Sequence, residues 1–167
     1  SDKASTIERQ GNRLLTLVTQ LLDISKVKSV IGEPNWQHGN ICAQVAMLLE
    51  TYIDYAANRG VTLKYHYDQA IEMDFVPDYV NKVMSNLVSN ALKFTPNGGT
   101  ISVNLYQRGD RLHIDVSDTG HGISSDKLAH IFEPFYTTGD MGEAKGTGIG
   151  LALTQEIISH LNGTITA

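Results

Sequence analysis

Thr100-Ile-Ser-Val-Asn-Leu-Tyr-Gln-Arg-Gly-Asp-Arg-Leu-His-Ile-Asp-Val-Ser117 decides the fold. Apolar and polar residues alternate from Thr100 to Gln107 and again from Arg111 to Ser117, and Arg108-Gly-Asp lies between them. This is a hairpin signal, with one face of each strand turned to a core. Upstream, Pro96-Asn-Gly-Gly makes a turn. Before it, Pro77 opens a helix running to Phe94, since proline is tolerated in a first turn. Ile71–Phe75 reads as a short strand and Val61–Tyr67 as an alternating one. Gly60 stops a helix over Gly39–Asn58, whose Val45, Leu48, Leu49, Tyr52, Ile53 and Ala56 keep helical spacing. Downstream of the hairpin come a loop-rich stretch, a short helix over Ser125–Ile131 and a helix over Thr147–Leu161. Asn162-Gly163 ends that helix, and a strand starts at Thr164.

At the front, Lys3–Lys28 reads as one long helix. Ile7, Leu14 and Leu21 recur every seven residues, with Leu17 and Ile24 completing a heptad seam flanked by Leu15, Val18 and Leu22. Such a seam fits packing on another helix or chain, while an ordinary amphipathic helix on its own domain is the alternative. Gly32 and Pro34 break the pattern. The expected architecture is α+β: a two-layer sandwich with a mixed sheet, helices on one face, and a long helix in front. Residues 1–31 are expected to form a helix and linker, and 32–167 one domain.

Composition narrows the function. The chain has 167 residues, 41% of them hydrophobic, which supports a core and argues against disorder. A net charge of -5 shows no basic field, which disfavours a nucleic-acid ligand but permits a local anion site. One cysteine, Cys42, excludes a disulfide framework or a thiolate metal cluster and fits a reducing compartment. No apolar run is long enough to cross a membrane.

Three features of the second half carry chemistry. Asn86, Asn90 and Lys93 stand three or four apart on the helix and share a face. Amide oxygens are hard, neutral ligands suited to Mg²⁺, and a lysine supplies charge to a phosphate; a solvated polar face explains the same spacing equally well. Asp118-Thr-Gly120-His-Gly122-Ile123 follows a strand. Its glycines permit close approach to a flat ring, its carboxylate can accept from an exocyclic amine, and Ile123 can pave a floor. Taken alone it is more simply a turn. Gly146-Thr147-Gly148-Ile-Gly150-Leu151 opens the last helix, where exposed amides and the helix dipole favour an anion. Three alternating glycines arise by chance in a chain this long with a probability of roughly 5%, so the motif is weak by itself. Between the last two lie Phe132-Glu-Pro-Phe135-Tyr and a small, polar stretch to Lys145. That composition suits a lid over a ligand, with Lys145 reaching a terminal phosphate; a surface loop is the plainer reading.

In this order the motifs resemble the histidine-kinase branch of the superfamily that also holds DNA gyrase, the mismatch-repair ATPases and the heat-shock chaperone ATPases. Asn86–Thr95 looks like the N box, Asp118–Gly122 the first glycine box, Phe132–Phe135 the F box and Gly146–Gly150 the second glycine box. The resemblance runs from about Pro34 onward, and the front helix is similar to the second helix of the family's dimerisation hairpin; since the family usually continues with another strand, the resemblance also implies an incomplete C-terminal strand and sheet edge. It implies a Bergerat-type sandwich and binding of ATP with Mg²⁺. Asn90 would be the metal ligand, Asn86 its partner near the phosphates and Lys93 a phosphate contact. Asp118 would bind the adenine amine. Phe94, Gly120, Gly122, Ile123, Phe132, Phe135, Lys145, Gly146, Thr147, Gly148, Gly150 and Leu151 would complete the nucleotide site.

The resemblance further implies transfer of the ATP γ-phosphoryl to a histidine and then to an aspartate of a response-regulator receiver domain. The parent would be homodimeric and membrane-anchored, with this domain cytoplasmic. The six histidines do not match the acceptor context, so the chain alone is not expected to label itself. A GHKL-type ATPase and a nucleotide-binding interaction module without transfer activity are the alternatives. Against the ATPase stands Asn86, at the position where those branches carry a water-activating glutamate.

Overall fold

The computed structural model describes residues 2–29, with the backbone alone from 19 to 29, and residues 34–134, 136 and 150–167. The chain divides into two units, Pro34–Ile123 and Ser1–Glu33 with Ser124–Ala167.

The first unit contains β1 (Gln37–Asn40), α2 (Ile41–Asn58), β2 (Thr62–Tyr67), β3 (Glu72–Phe75), α3 (Pro77–Phe94), β4 (Thr100–Arg108) and β5 (Arg111–Asp118). The second contains α1 (Asp2–Ser29), which precedes all of these, and α4 (Ser125–Leu128) and α5 (Gly150–His160), which follow them.

In the first unit β2 pairs parallel with β4, and β4 pairs antiparallel with β5, giving a mixed three-stranded sheet. The period-two pattern sorts its faces. Ile101, Val103 and Leu105 of β4 are buried, while Asn104 faces solvent between them. Leu63 of β2 joins the same core, and Leu112, Ile114 and Val116 of β5 pack on it. Helices α2 and α3 cover that face through Val45, Leu49, Met84, Val88 and Leu92. The mixed sheet with helices on one face is therefore as expected.

A second, two-stranded antiparallel sheet joins β1 to β3. The sequence pattern missed β1, because Gln-His-Gly-Asn has no apolar alternation. It exists through its ladder with β3, and His38 Nδ1 lies 2.7 Å from Asp74 Oδ1 across that ladder. The helix expected from Gly39 begins instead at Ile41, because Asn40 caps it. The Asn40 side-chain oxygen accepts from the N–H groups of Cys42 and Ile71. At the far end Gly60 takes a φ of 72°, as its role of helix stop requires.

In the second unit α1 is helical from Asp2 to Ser29, and Ile7 and Leu14 of the heptad seam are 72% and 61% exposed. The seam side chains at Leu21 and Ile24 lie outside the described residues. Helix α4 is shorter than expected. After Leu128 the chain proceeds by three-residue bonds, His130 N–H to the Lys127 carbonyl and Glu133 N–H to the His130 carbonyl, toward Pro134. Helix α5 ends as the sequence indicates. Asn162 takes a φ of 59°, and Gly163 N–H closes on the Ile158 carbonyl. The strand expected from Thr164 does not form, since a strand exists only in a ladder and these residues have none among the described residues. No described helix is long and apolar enough to cross a membrane.

Candidate nucleotide-binding site

Helix α3 begins with Pro77 in its first turn, after the extended Val76. Tyr79, Val83, Met84, Val88, Ala91 and Leu92 form its buried face. Asn86 and Asn90 are half-buried at the edge of that face, with Lys93 exposed one turn further on. The helix stops at Phe94 for a definable reason. Pro96 disfavours a helical residue before it, and Thr95 sits at ψ 117°. Thr95 still bonds the helix, its N–H and its hydroxyl both donating to the Ala91 carbonyl at 3.0 and 2.7 Å. Partial burial pushes the Lys93 ammonium below the ordinary lysine value.

Strand β5 delivers Asp118 to the start of a turn. Gly120 N–H donates to Asp118 Oδ1 at 2.8 Å, which orients the carboxylate. Thr119 fastens the turn to the start of β4: its N–H donates to the Thr100 carbonyl and its hydroxyl oxygen accepts from Thr100 N–H. At Gly120 a Cβ would lie 2.5 Å from the Phe94 carbonyl oxygen, so only glycine lets the turn approach the end of α3 this closely. Gly122 takes a φ of 75°, a region that also favours glycine. The His121 ring meets the Phe94 ring edge to face, with centroids 5.9 Å apart. Ile123 leaves a large apolar side chain 40% exposed beside the turn.

The structure thus brings Asp118, Gly120 and His121 against the C-terminal end of the helix that carries Asn86, Asn90, Lys93 and Phe94. The first glycine turn and the end of the asparagine-bearing helix meet at Phe94. Residues 76–167 match the family described as histidine kinase-, DNA gyrase B-, and HSP90-like ATPase. The chain belongs to this family. It is 32% identical to the sensor histidine kinase RppB of Synechocystis sp., over 96% of this chain and 36% of that protein. Among solved structures it is similar to full-length ShkA in complex with AMPPNP, with a TM-score of 0.78 at 23% identity, covering 96% of this chain and 34% of that one. It is also similar to the histidine kinase ThkA in complex with the response regulator protein TrrA, with a TM-score of 0.76 at 20% identity, covering 98% and 45%. The chain spans 36%, 20% and 12% of the length of three curated relatives it matches. Within the family it corresponds to the ATP-binding catalytic domain of sensor histidine kinases.

The remaining expected site residues fall in the second unit or outside the description. Phe132 is half-buried in the turns after α4. Gly150 opens α5 and its carbonyl accepts from the Thr154 hydroxyl, while Leu151 beside it is half-buried. Phe135, Lys145, Gly146, Thr147 and Gly148, with the stretch read as a lid, lie outside the described residues. Sequence reasoning takes His121 for an incidental residue at a variable position of the glycine box and gives Thr119 no role. Nothing in the spacing could have found the His121–Phe94 contact, because the two belong to motifs joined only by the fold.

Proposed function

We propose that the chain binds ATP with Mg²⁺ and presents its γ-phosphoryl group to a histidine outside these 167 residues. The observation that carries this is the docking of the Asp118–Gly122 turn on the end of α3. Asp118, with one oxygen held by Gly120 N–H, uses the other to accept from the adenine amine. Phe94, Gly120, Gly122 and Ile123 line the base. Asn86, Asn90 and Lys93 face the phosphates. The metal fits this donor set: Asn90 offers a neutral amide oxygen, which suits a hard cation that keeps several waters. When bound, Mg²⁺ neutralises phosphate charge; the chain's own contribution is to hold the nucleotide in line and supply the Lys93 charge, which is most of what phosphoryl transfer needs. Phe132, Phe135, Lys145, Gly146, Thr147, Gly148, Gly150 and Leu151 are carried over from the family's F box and second glycine box as further nucleotide contacts.

The parent protein is then a homodimeric sensor histidine kinase, with this domain on the cytoplasmic side of an anchored receptor. Residues 1–31 supply half of a dimerisation hairpin and 32–167 the catalytic domain. The exposed Ile7 and Leu14 support this, since apolar seam residues left to water call for a partner helix. The phosphoryl group moves on to an aspartate of a receiver domain, and the ThkA–TrrA complex, in which a similar kinase is held by a response regulator, supports that step.

The test is calorimetric titration with ATP and GTP, each with and without Mg²⁺. Guanine presents a carbonyl where adenine presents an amine, so ATP should bind at least tenfold more tightly, about 1.4 kcal/mol, and only with Mg²⁺ at full strength. Asp118→Asn should erase most of that preference. Equal affinity for the two nucleotides removes the adenine assignment.

A further inference from the structure

One ligand can touch both Asp118 and the asparagines of α3 only if the turn and the helix keep a fixed spacing. The geometry points to His121 as the brace that sets it, a positioning residue for adenine recognition; this rests on the nucleotide reading above. Three observations converge. First, His121 Nδ1 lies 2.6 Å from the Gly122 carbonyl oxygen. A carbonyl only accepts, so Nδ1 carries the proton, and this bond fixes the ring against its own backbone. Second, that fixed ring meets Phe94, the last residue of α3, at an interplanar angle of 87°. Third, the preceding residue, Gly120, brings its backbone against the Phe94 carbonyl. Consecutive residues of the turn therefore bear on one helix-terminal residue, one by backbone and one by ring. Gly120 N–H also holds Asp118 Oδ1, so whatever fixes Gly120 aims the carboxylate.

The contact between Phe94 and His121 is one of two aromatic rings. The nearest charged neighbours along the chain are Lys93 on α3 and Asp118 in the turn, so the brace is a matter of ring contact and not of charge.

Three variants separate the ring from the polar group. His121→Ala removes both. His121→Asn keeps a short polar group without a ring. His121→Phe keeps a ring without the donor. We expect ATP affinity to fall about fivefold in the first two and clearly less in the third, which keeps the edge-to-face ring but loses the bond that fixes it. GTP affinity should change little, so the ATP-over-GTP ratio shrinks in His121→Ala and returns in part in His121→Phe. A general loosening of the fold would lower both nucleotides together. Hydrogen exchange at the Gly120 amide supplies a reading that needs no nucleotide: faster in His121→Ala and His121→Asn, and slowed back toward the parent in His121→Phe. If the unaltered chain binds no ATP, the proposed function fails, while exchange at Gly120 still decides the brace. If it binds ATP and His121→Ala stays within twofold with unchanged exchange, or His121→Phe is as weak as His121→Ala, the brace is overturned.

Discussion

Lys93 carries a charge that the fold works against. Burial lowers its pKa in the folded chain, so the folded state releases this proton at lower pH than the unfolded state does. The unfolded chain then binds more protons between the two values, and stability rises with pH through that alkaline window. Below it, at neutral pH, the partly desolvated ammonium of this exposed side chain is slightly disfavoured in the folded chain, and a bound anion would offset that. Lys93→Met is therefore expected to melt no lower than the parent at pH 7 while losing about tenfold in ATP affinity, about 1.4 kcal/mol. Scanning calorimetry and titration measure the two halves, and undiminished affinity would remove Lys93 from the phosphate site. This residue was legible in the sequence because helical spacing places 86, 90 and 93 on one face. The orientation of Asp118 was not, since it depends on a hydrogen bond within a turn whose shape the letters Asp-Thr-Gly leave open.

Among the elements, α3 and the β4–β5 hairpin matched their sequence reading almost residue for residue. Both carry strong local signals: a proline at each border of the helix, and uninterrupted alternation around Gly109-Asp110. Strand β1 and the short α4 were misread because their limits are set elsewhere, β1 by pairing with β3 and α4 by a shift to three-residue bonds. The Thr164 strand is expected from local pattern alone and has no ladder among the described residues to realise it. The contact between the Asp118 turn and α3 is also invisible locally, and Gly120 tests it most directly. Gly120→Ala places a methyl 2.5 Å from the Phe94 carbonyl oxygen, so helix or turn must move. Overpacking of this kind costs about 1–3 kcal/mol, to be read from urea unfolding, with ATP binding lost alongside. Parent-like stability and binding in that variant would show the approach to be loose.

At the scale of the whole molecule, kinase and ATPase differ in where the phosphoryl group goes. Asn86 has no usable basicity near neutral pH, so it cannot take a proton from an attacking water, and such general-base help is worth roughly 10²–10⁴-fold. Phosphate release under saturating MgATP should therefore stay near background, unchanged in Asn90→Ala, and Asn86→Glu should raise it if its carboxylate reaches the water. Robust turnover abolished by Asn90→Ala would move the chain to the ATPase branch. A last consequence follows from the parallel pairing of β2 with β4. Parallel neighbours cannot be joined by a tight turn, so the chain must travel out of the sheet and back between them, and α3 is the helix of that excursion. The helix that would grip the phosphates is thus also the topological link that lets β4 find its place. A nucleotide clamped on it opposes undoing the sheet's long-range connection, and at a hundred times its dissociation constant would add about 2.7 kcal/mol against unfolding. Occupancy of the site and integrity of the fold then become one equilibrium, and a cell's ATP level becomes a term in the domain's persistence.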